Sequence, residues 1–117
     1  MNNQTRKLLF DVLESTNAIR DWCARRTFDE YISDRQFRRA VEREFEVIGE
    51  ALARLRRINP ALANTINQLN RVVDFRNRII HGYDSVDDAT VWGFVADRLP
   101  QLVAEVSTLF RGSDASD

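Results

Sequence analysis

The stretch DRQFRRAVEREFEVIGEALARLRRI, residues 34–58, decides the fold. Phe37, Val41, Phe45, Ile48, Leu52 and Leu55 recur in it at steps of three and four, while Arg38, Arg39, Glu42, Arg43, Glu46 and Glu50 fill other faces. That spacing draws one apolar stripe along an α-helix and leaves the charges to solvent. Ser33 or Asp34 is available as the N-cap. Asn59-Pro60 ends the helix, because proline cannot continue the backbone ladder and disfavours helical geometry in the residue before it.

The same period extends outward in both directions. Toward the N-terminus, Leu8, Leu9, Val12, Leu13, Ile19, Trp22 and Cys23 predict a first long helix from about Gln4 to Arg26, and Thr27 to Ile32 reads as a short connector. Beyond Pro60 a short helical piece is expected through Ala61 to Ile66. A third helix follows from Gln68 to His81 with Leu69, Val72, Val73, Ile79 and Ile80 as its stripe, and Gly82 stands where a left-handed cap is expected. Ser85 or Asp87 can cap a fourth helix that runs to about Phe110 through Val91, Val95, Leu99, Leu102, Val106 and Leu109, kinked at Pro100. The fold class is all-α, a single up-and-down bundle of four to five helices over residues 1–112, with a polar tail at 113–117 expected to be disordered. Trp22, Phe28, Tyr31, Phe37 and Phe45 are assigned to the core.

Composition supports this and excludes several functions. With 44% hydrophobic residues, 30% charged ones, four glycines and two prolines among 117 residues, the chain lacks the punctuation of a β-sandwich. The net charge of −1 exerts no global pull on nucleic acid or anionic membrane, so phosphate binding has to be local. One cysteine, Cys23, and one histidine make neither an internal disulfide nor a zinc set, so no metal and no cofactor is expected. No apolar run reaches the length of a membrane span, and a cytoplasmic protein without membrane association is expected.

The chemistry concentrates in DFRNRIIHGY, residues 74–83. It holds the chain's single imidazole, His81, and general acid–base catalysis near neutral pH is most economically assigned to that group. At about 100° per residue, Asn77 shares a face with His81, while Arg76 lies roughly 140° away around the axis. Taken alone, the segment reads as an ordinary helix end, with His81 as a helix C-cap, Arg76 and Arg78 solvated or paired with Asp74, and Tyr83 packed on the core. Arg35, Arg38, Arg39 and Arg43 alternate with Glu42, Glu44 and Glu46 and read as an ion-paired helix face; Asp84, Asp87 and Asp88 read as capping residues.

Arg76, four residues, His81, one residue and Tyr83 together resemble the motif of the HepT-like toxins within the HEPN superfamily. Phe45-Glu46-Val47-Ile48-Gly49-Glu50-Ala51 is similar to a second segment of that family, and the resemblance spans the chain apart from its tail. It implies a HEPN-like bundle that acts as a metal-independent ribonuclease, the toxin of a type VII-like toxin–antitoxin pair. Arg76 and His81 are then catalytic, Asn77 supports them, and Tyr83 is the site at which a cognate minimal nucleotidyltransferase antitoxin attaches AMP. The resemblance further implies a homodimer whose two motifs face one RNA-cleaving cleft, and RNA, with tRNA a candidate, as substrate. A non-catalytic HEPN adaptor that presents substrate to a nucleotidyltransferase is the alternative it leaves open.

Overall fold

Short polar side chains start most of the helices through named hydrogen bonds. In the computed structural model, which describes residues 1–82 and 86–115 with side chains through Ser113, helix α1 spans Asn3–Ala24 and opens where Asn2 Oδ1 accepts from the Thr5 amide at 2.8 Å. Tyr83, Asp84, Ser85 and the last two residues lie outside the described residues, so the proposed Ser85 cap does too. Helix α2 covers Phe28–Ser33, so the expected connector is a helix with a reciprocal cap between Thr27 and Glu30. Asp34 caps α3, Arg35–Ile58, by accepting from the Phe37 amide at 3.0 Å. Asn59 closes α3 and at once caps α4, Pro60–Ala63, with proline in the first turn where its missing N–H costs nothing.

Helix α5, Leu69–His81, has no side-chain cap from its own N-cap residue, Gln68. Glu105, 37 residues later, takes that role: its carboxylate accepts from the amides of Asn67 at 2.7 Å and Gln68 at 3.1 Å. Asp87 then caps α6, Asp88–Asp97, and α7 covers Leu99–Ala115.

Three expectations are corrected here. The single fourth helix is two, because Pro100 has no N–H to donate to the carbonyl four residues back, and the ladder breaks at Arg98. Gly82 does not adopt the left-handed region; its φ is −99° and its amide donates to the Arg78 carbonyl at 2.8 Å, continuing the last turn. The last helix carries past residue 112 to Ala115: Ser113 is 2% exposed, accepts from Arg6 Nε at 3.0 Å and donates to the Phe110 carbonyl at 2.6 Å.

The bundle forms around α3, which packs on α1 on one side and α5 on the other, while α7 lies against α1. All six stripe residues of α3 are buried, at 5% exposure or less. On α5 the stripe differs from expectation: Phe75 is buried and Ile80 is exposed. The reason is aromatic packing, since Phe75 stacks on Phe94 with centroids 4.0 Å apart and both meet Phe45 edge-on. Cys23 is buried, and burial pushes its thiol up to about 11, away from the thiolate form that a nucleophile needs. No helix among the described residues is long and apolar enough to cross a membrane.

Because Glu105 supplies a cap across the bundle, Glu105→Ala is expected to lower stability by about 1 kcal/mol, as loss of a helix cap does. Urea denaturation should show the shift at unchanged slope, whereas substitution of the exposed Glu14 should leave the midpoint in place.

Candidate active site

Arg76 sits in the middle of α5 on the side that faces α3, and the sequence of α3 is shaped to receive it. Opposite it is Gly49, buried in the contact between the two helices. A Cβ built on Gly49 would stand 2.6 Å from Arg76 Cβ and 2.7 Å from its Cδ, so no larger residue fits without moving a helix. The aliphatic stem of Arg76 therefore crosses α3 at the glycine, and its head emerges beside the next residue, Glu50.

There the guanidinium is held from two directions. Its Nη2 lies 3.3 Å from Glu50 Oε2, and Nη1 donates to Asn77 Oδ1 at 2.9 Å. The Arg76 side chain is 20% exposed against 58% for Glu50, so this pair is partly screened and orients more than it stabilises. Nε is buried without an acceptor among the described residues, which leaves one donor unsatisfied in an otherwise fixed group.

The head borders a cleft of about 430 Å³ between α1 and α3, whose charged lining is Asp11, Arg43, Glu46, Glu50, Arg54 and Arg76. Three cations and three carboxylates cancel, so the cleft exerts no net attraction on phosphate. Arg43 pairs with Glu46 at 2.9 Å and Arg54 with Glu50 at 3.7 Å, while Arg39 pairs with Glu42 at 2.9 Å, as expected of an ion-paired helix face.

His81 is the last residue of α5; it is exposed, and among the described residues its ring makes no hydrogen bond or ion pair. Among the described residues, no hydrogen bond or ion pair joins it to Arg76. Asn77 stands between the two: it accepts from Arg76 and lies one turn from His81 on the same face. A single chain thus presents an oriented cation and a free imidazole on separate sides of one helix. Tyr83 lies outside the described residues. The parts that sequence reasoning missed are Gly49 and Glu50: both stood in the quoted segment of α3, but their role is set by a helix 26 residues further on.

A helical bundle with an Arg, four residues and a His at the end of a helix, the arginine seated on a glycine–glutamate step, defines a HEPN-like domain. Comparison with known proteins makes this specific: residues 12–109 match the family described as ribonuclease HepT-like, and the chain belongs to that family. It is similar over 117 residues, at 29% identity, to a "Putative RNase" of Methanocaldococcus jannaschii, with 96% of this chain and 92% of the relative covered. A second protein of that name and organism is 32% identical over 100 residues, covering 84% of this chain and 89% of its own length. A "Probable ribonuclease HepT" of Thermococcus cleftensis is 25% identical over 113 residues, 93% of this chain and 98% of the relative. No solved structure matches the chain.

Gly49→Ala is expected to destabilise the protein by about 1–3 kcal/mol, the range for forced overpacking. Because the clash includes Arg76 Cβ, an Arg76→Ala background should not relieve it. Glu50→Ala should cost less than about 1 kcal/mol. Chemical denaturation of the four variants separates a close helix crossing from an ordinary surface ion pair.

Proposed function

We propose that this chain is a metal-independent endoribonuclease, the toxin of a type VII-like toxin–antitoxin pair, acting in the cytoplasm on RNA with tRNA as the first substrate to test. The observation that carries the reading is the division of labour on α5: Arg76 is fixed against Glu50 while His81 stands exposed on another face of the same helix. RNA brings its own nucleophile, so cleavage needs a base for the 2′-hydroxyl proton, an acid for the departing 5′-oxygen and cations for the charge on the phosphorane. One chain offers a single imidazole. A homodimer with its two motifs facing supplies two copies of His81 and of Arg76, and with them both proton transfers and the charge stabilisation. The 2′-oxygen then bonds to phosphorus as the 5′-oxygen leaves, giving a 2′,3′-cyclic phosphate and a 5′-hydroxyl end.

Of the two tyrosines, Tyr31 is 1% exposed and burial raises its phenol well above the ordinary range, so it is a poor target for modification. Tyr83, two residues after His81, is the one assigned to AMP transfer. Its phenol oxygen attacks the α-phosphorus of ATP on the partner nucleotidyltransferase antitoxin, pyrophosphate leaves, and the attached AMP places bulk and negative charge beside a site meant for RNA phosphate.

Purified protein is expected to cleave total RNA in the presence of EDTA and to leave cyclic phosphate ends. His81→Ala and Arg76→Ala should each lower the rate by about 100-fold or more, the usual loss of an acid–base group or an anion-stabilising one. Wild-type protein without cleavage, or a His81→Ala variant that cuts as fast, would refute the assignment. Co-expression with the adjacent nucleotidyltransferase should add the mass of one AMP to the chain, and Tyr83→Phe should abolish that addition. A mass increase that survives this substitution assigns the modification elsewhere.

A further inference from the structure

The outward face of α5 carries a second feature besides His81. Between α5 and the α6–α7 break runs an open groove of about 600 Å³, lined among others by Asn70, Arg71, Asp74, Arg78, Phe94 and Arg98. Three arginines face one carboxylate there, so unlike the cleft beside Arg76 this groove has a net positive charge. Among the described residues the guanidinium groups of Arg71 and Arg98 make no hydrogen bond or ion pair, in contrast to Arg25, Arg39 and Arg43, which are paired within their own helices. Asn70 Oδ1 accepts from Arg56 Nη1 at 2.6 Å, which fixes the amide at the groove wall. Half-buried Phe94, stacked on Phe75, gives the floor an apolar surface on which a base can rest.

The groove is continuous with the catalytic end of the helix. Arg71, Asp74, Arg78 and His81 follow one another at steps of three and four, and with Asn70 they fall within an arc of roughly 100° around the axis. From Arg71 to His81 the helix rises by about 15 Å. The helix break caused by Pro100 brings Arg98 to the opposite wall. We infer that this groove is the track along which single-stranded RNA approaches His81, with Arg71 and Arg98 holding phosphates and Phe94 supporting a base. The inference rests on the ribonuclease reading above for its substrate. Asp74 repels phosphate in the middle of the track, so the strand is held at its two walls rather than along the centre.

The test uses the full chain with His81→Ala added to stop cleavage, and a short fluorescein-labelled oligouridylate as probe. Fluorescence anisotropy across a salt series should show that Arg71→Ala with Arg98→Ala weakens binding by about tenfold and makes the salt slope shallower by about 0.7 for each lost phosphate contact. Arg25→Ala with Arg35→Ala, the same change of charge at exposed positions off the groove, should change affinity less than about twofold. If the Arg98 variant fails to fold, Arg71→Glu alone, at an exposed position, carries the same readout. Equal losses from both pairs, or none from the groove pair, overturn the inference. Tighter binding of polyglutamate than of oligouridylate, lost in the groove pair, also overturns it and assigns the groove to an acidic protein. Groove-dependent RNA binding by a wild-type chain that cuts nothing would uphold the track and refute the nuclease. Cleavage whose KM is indifferent to the groove pair would do the reverse.

Discussion

A 24-residue helix with phenylalanines and branched aliphatics down one side has to be covered along its whole length. At about 25 cal/mol for each Å² of apolar surface removed from water, burying the stripe of α3, all of it at 5% exposure or less, contributes strongly to folding. Its coverage sets the order of everything else. No single partner helix covers so wide a stripe, so α1 packs on one side and α5 on the other. The site then follows from the core, because the helix that carries Arg76 and His81 is held in register by the same contact that buries Phe45 against Phe75.

That contact also explains why a charged side chain is tolerated in it. Gly49 opens just enough room for the Arg76 stem, and Glu50 and Asn77 receive its head, so the desolvation of the guanidinium is offset by two charge-assisted hydrogen bonds. Exposure of Glu50 keeps the pair from contributing much to stability. What it contributes is direction: with its stem pinned between two helices and two of its nitrogens bonded, the group loses little further freedom when a ligand binds.

Helices were legible in the sequence because burial imposes a period, and the period survives wherever the neighbour is a broad apolar surface. The α3 stripe from Phe37 to Leu55 is buried as its spacing predicts, as are Leu8, Leu9, Val12 and Ile19 of α1, while Leu13 is half-buried. The departures occur where one specific tertiary partner decides. Ser113 belongs to a stretch that reads as polar tail, yet Arg6 and the Phe110 carbonyl give it buried partners from across the bundle and from its own helix. Gln68 offers no cap of its own, and the cap comes from Glu105. Phe75 lies outside the stripe that the α5 spacing predicts because its place is fixed by a stack on Phe94, a residue 19 positions away in another helix. The Arg–His motif could be read as a motif, but not the seat of Arg76, since a glycine and a glutamate on α3 acquire that meaning only when α5 crosses them.

The two sides of α5 carry opposite electrostatic logic, and this bears on why one chain presents an incomplete arrangement. Toward α3, every arginine beside the cleft meets a carboxylate and the charges sum to zero; toward solvent, Arg71, Arg78 and Arg98 outnumber Asp74. The inferred RNA track therefore lies on the outer face, which carries His81, and not on the inner face where Arg76 is anchored. Within one chain the imidazole and the oriented cation lie roughly 140° apart around the axis of α5, and among the described residues no hydrogen bond or ion pair joins them. In the proposed dimer, a second chain across the end of α5 would bring another Arg76 and another His81 to the same phosphate while both cores stay intact, so a helix that keeps the two groups apart within one chain is compatible with a site shared between two.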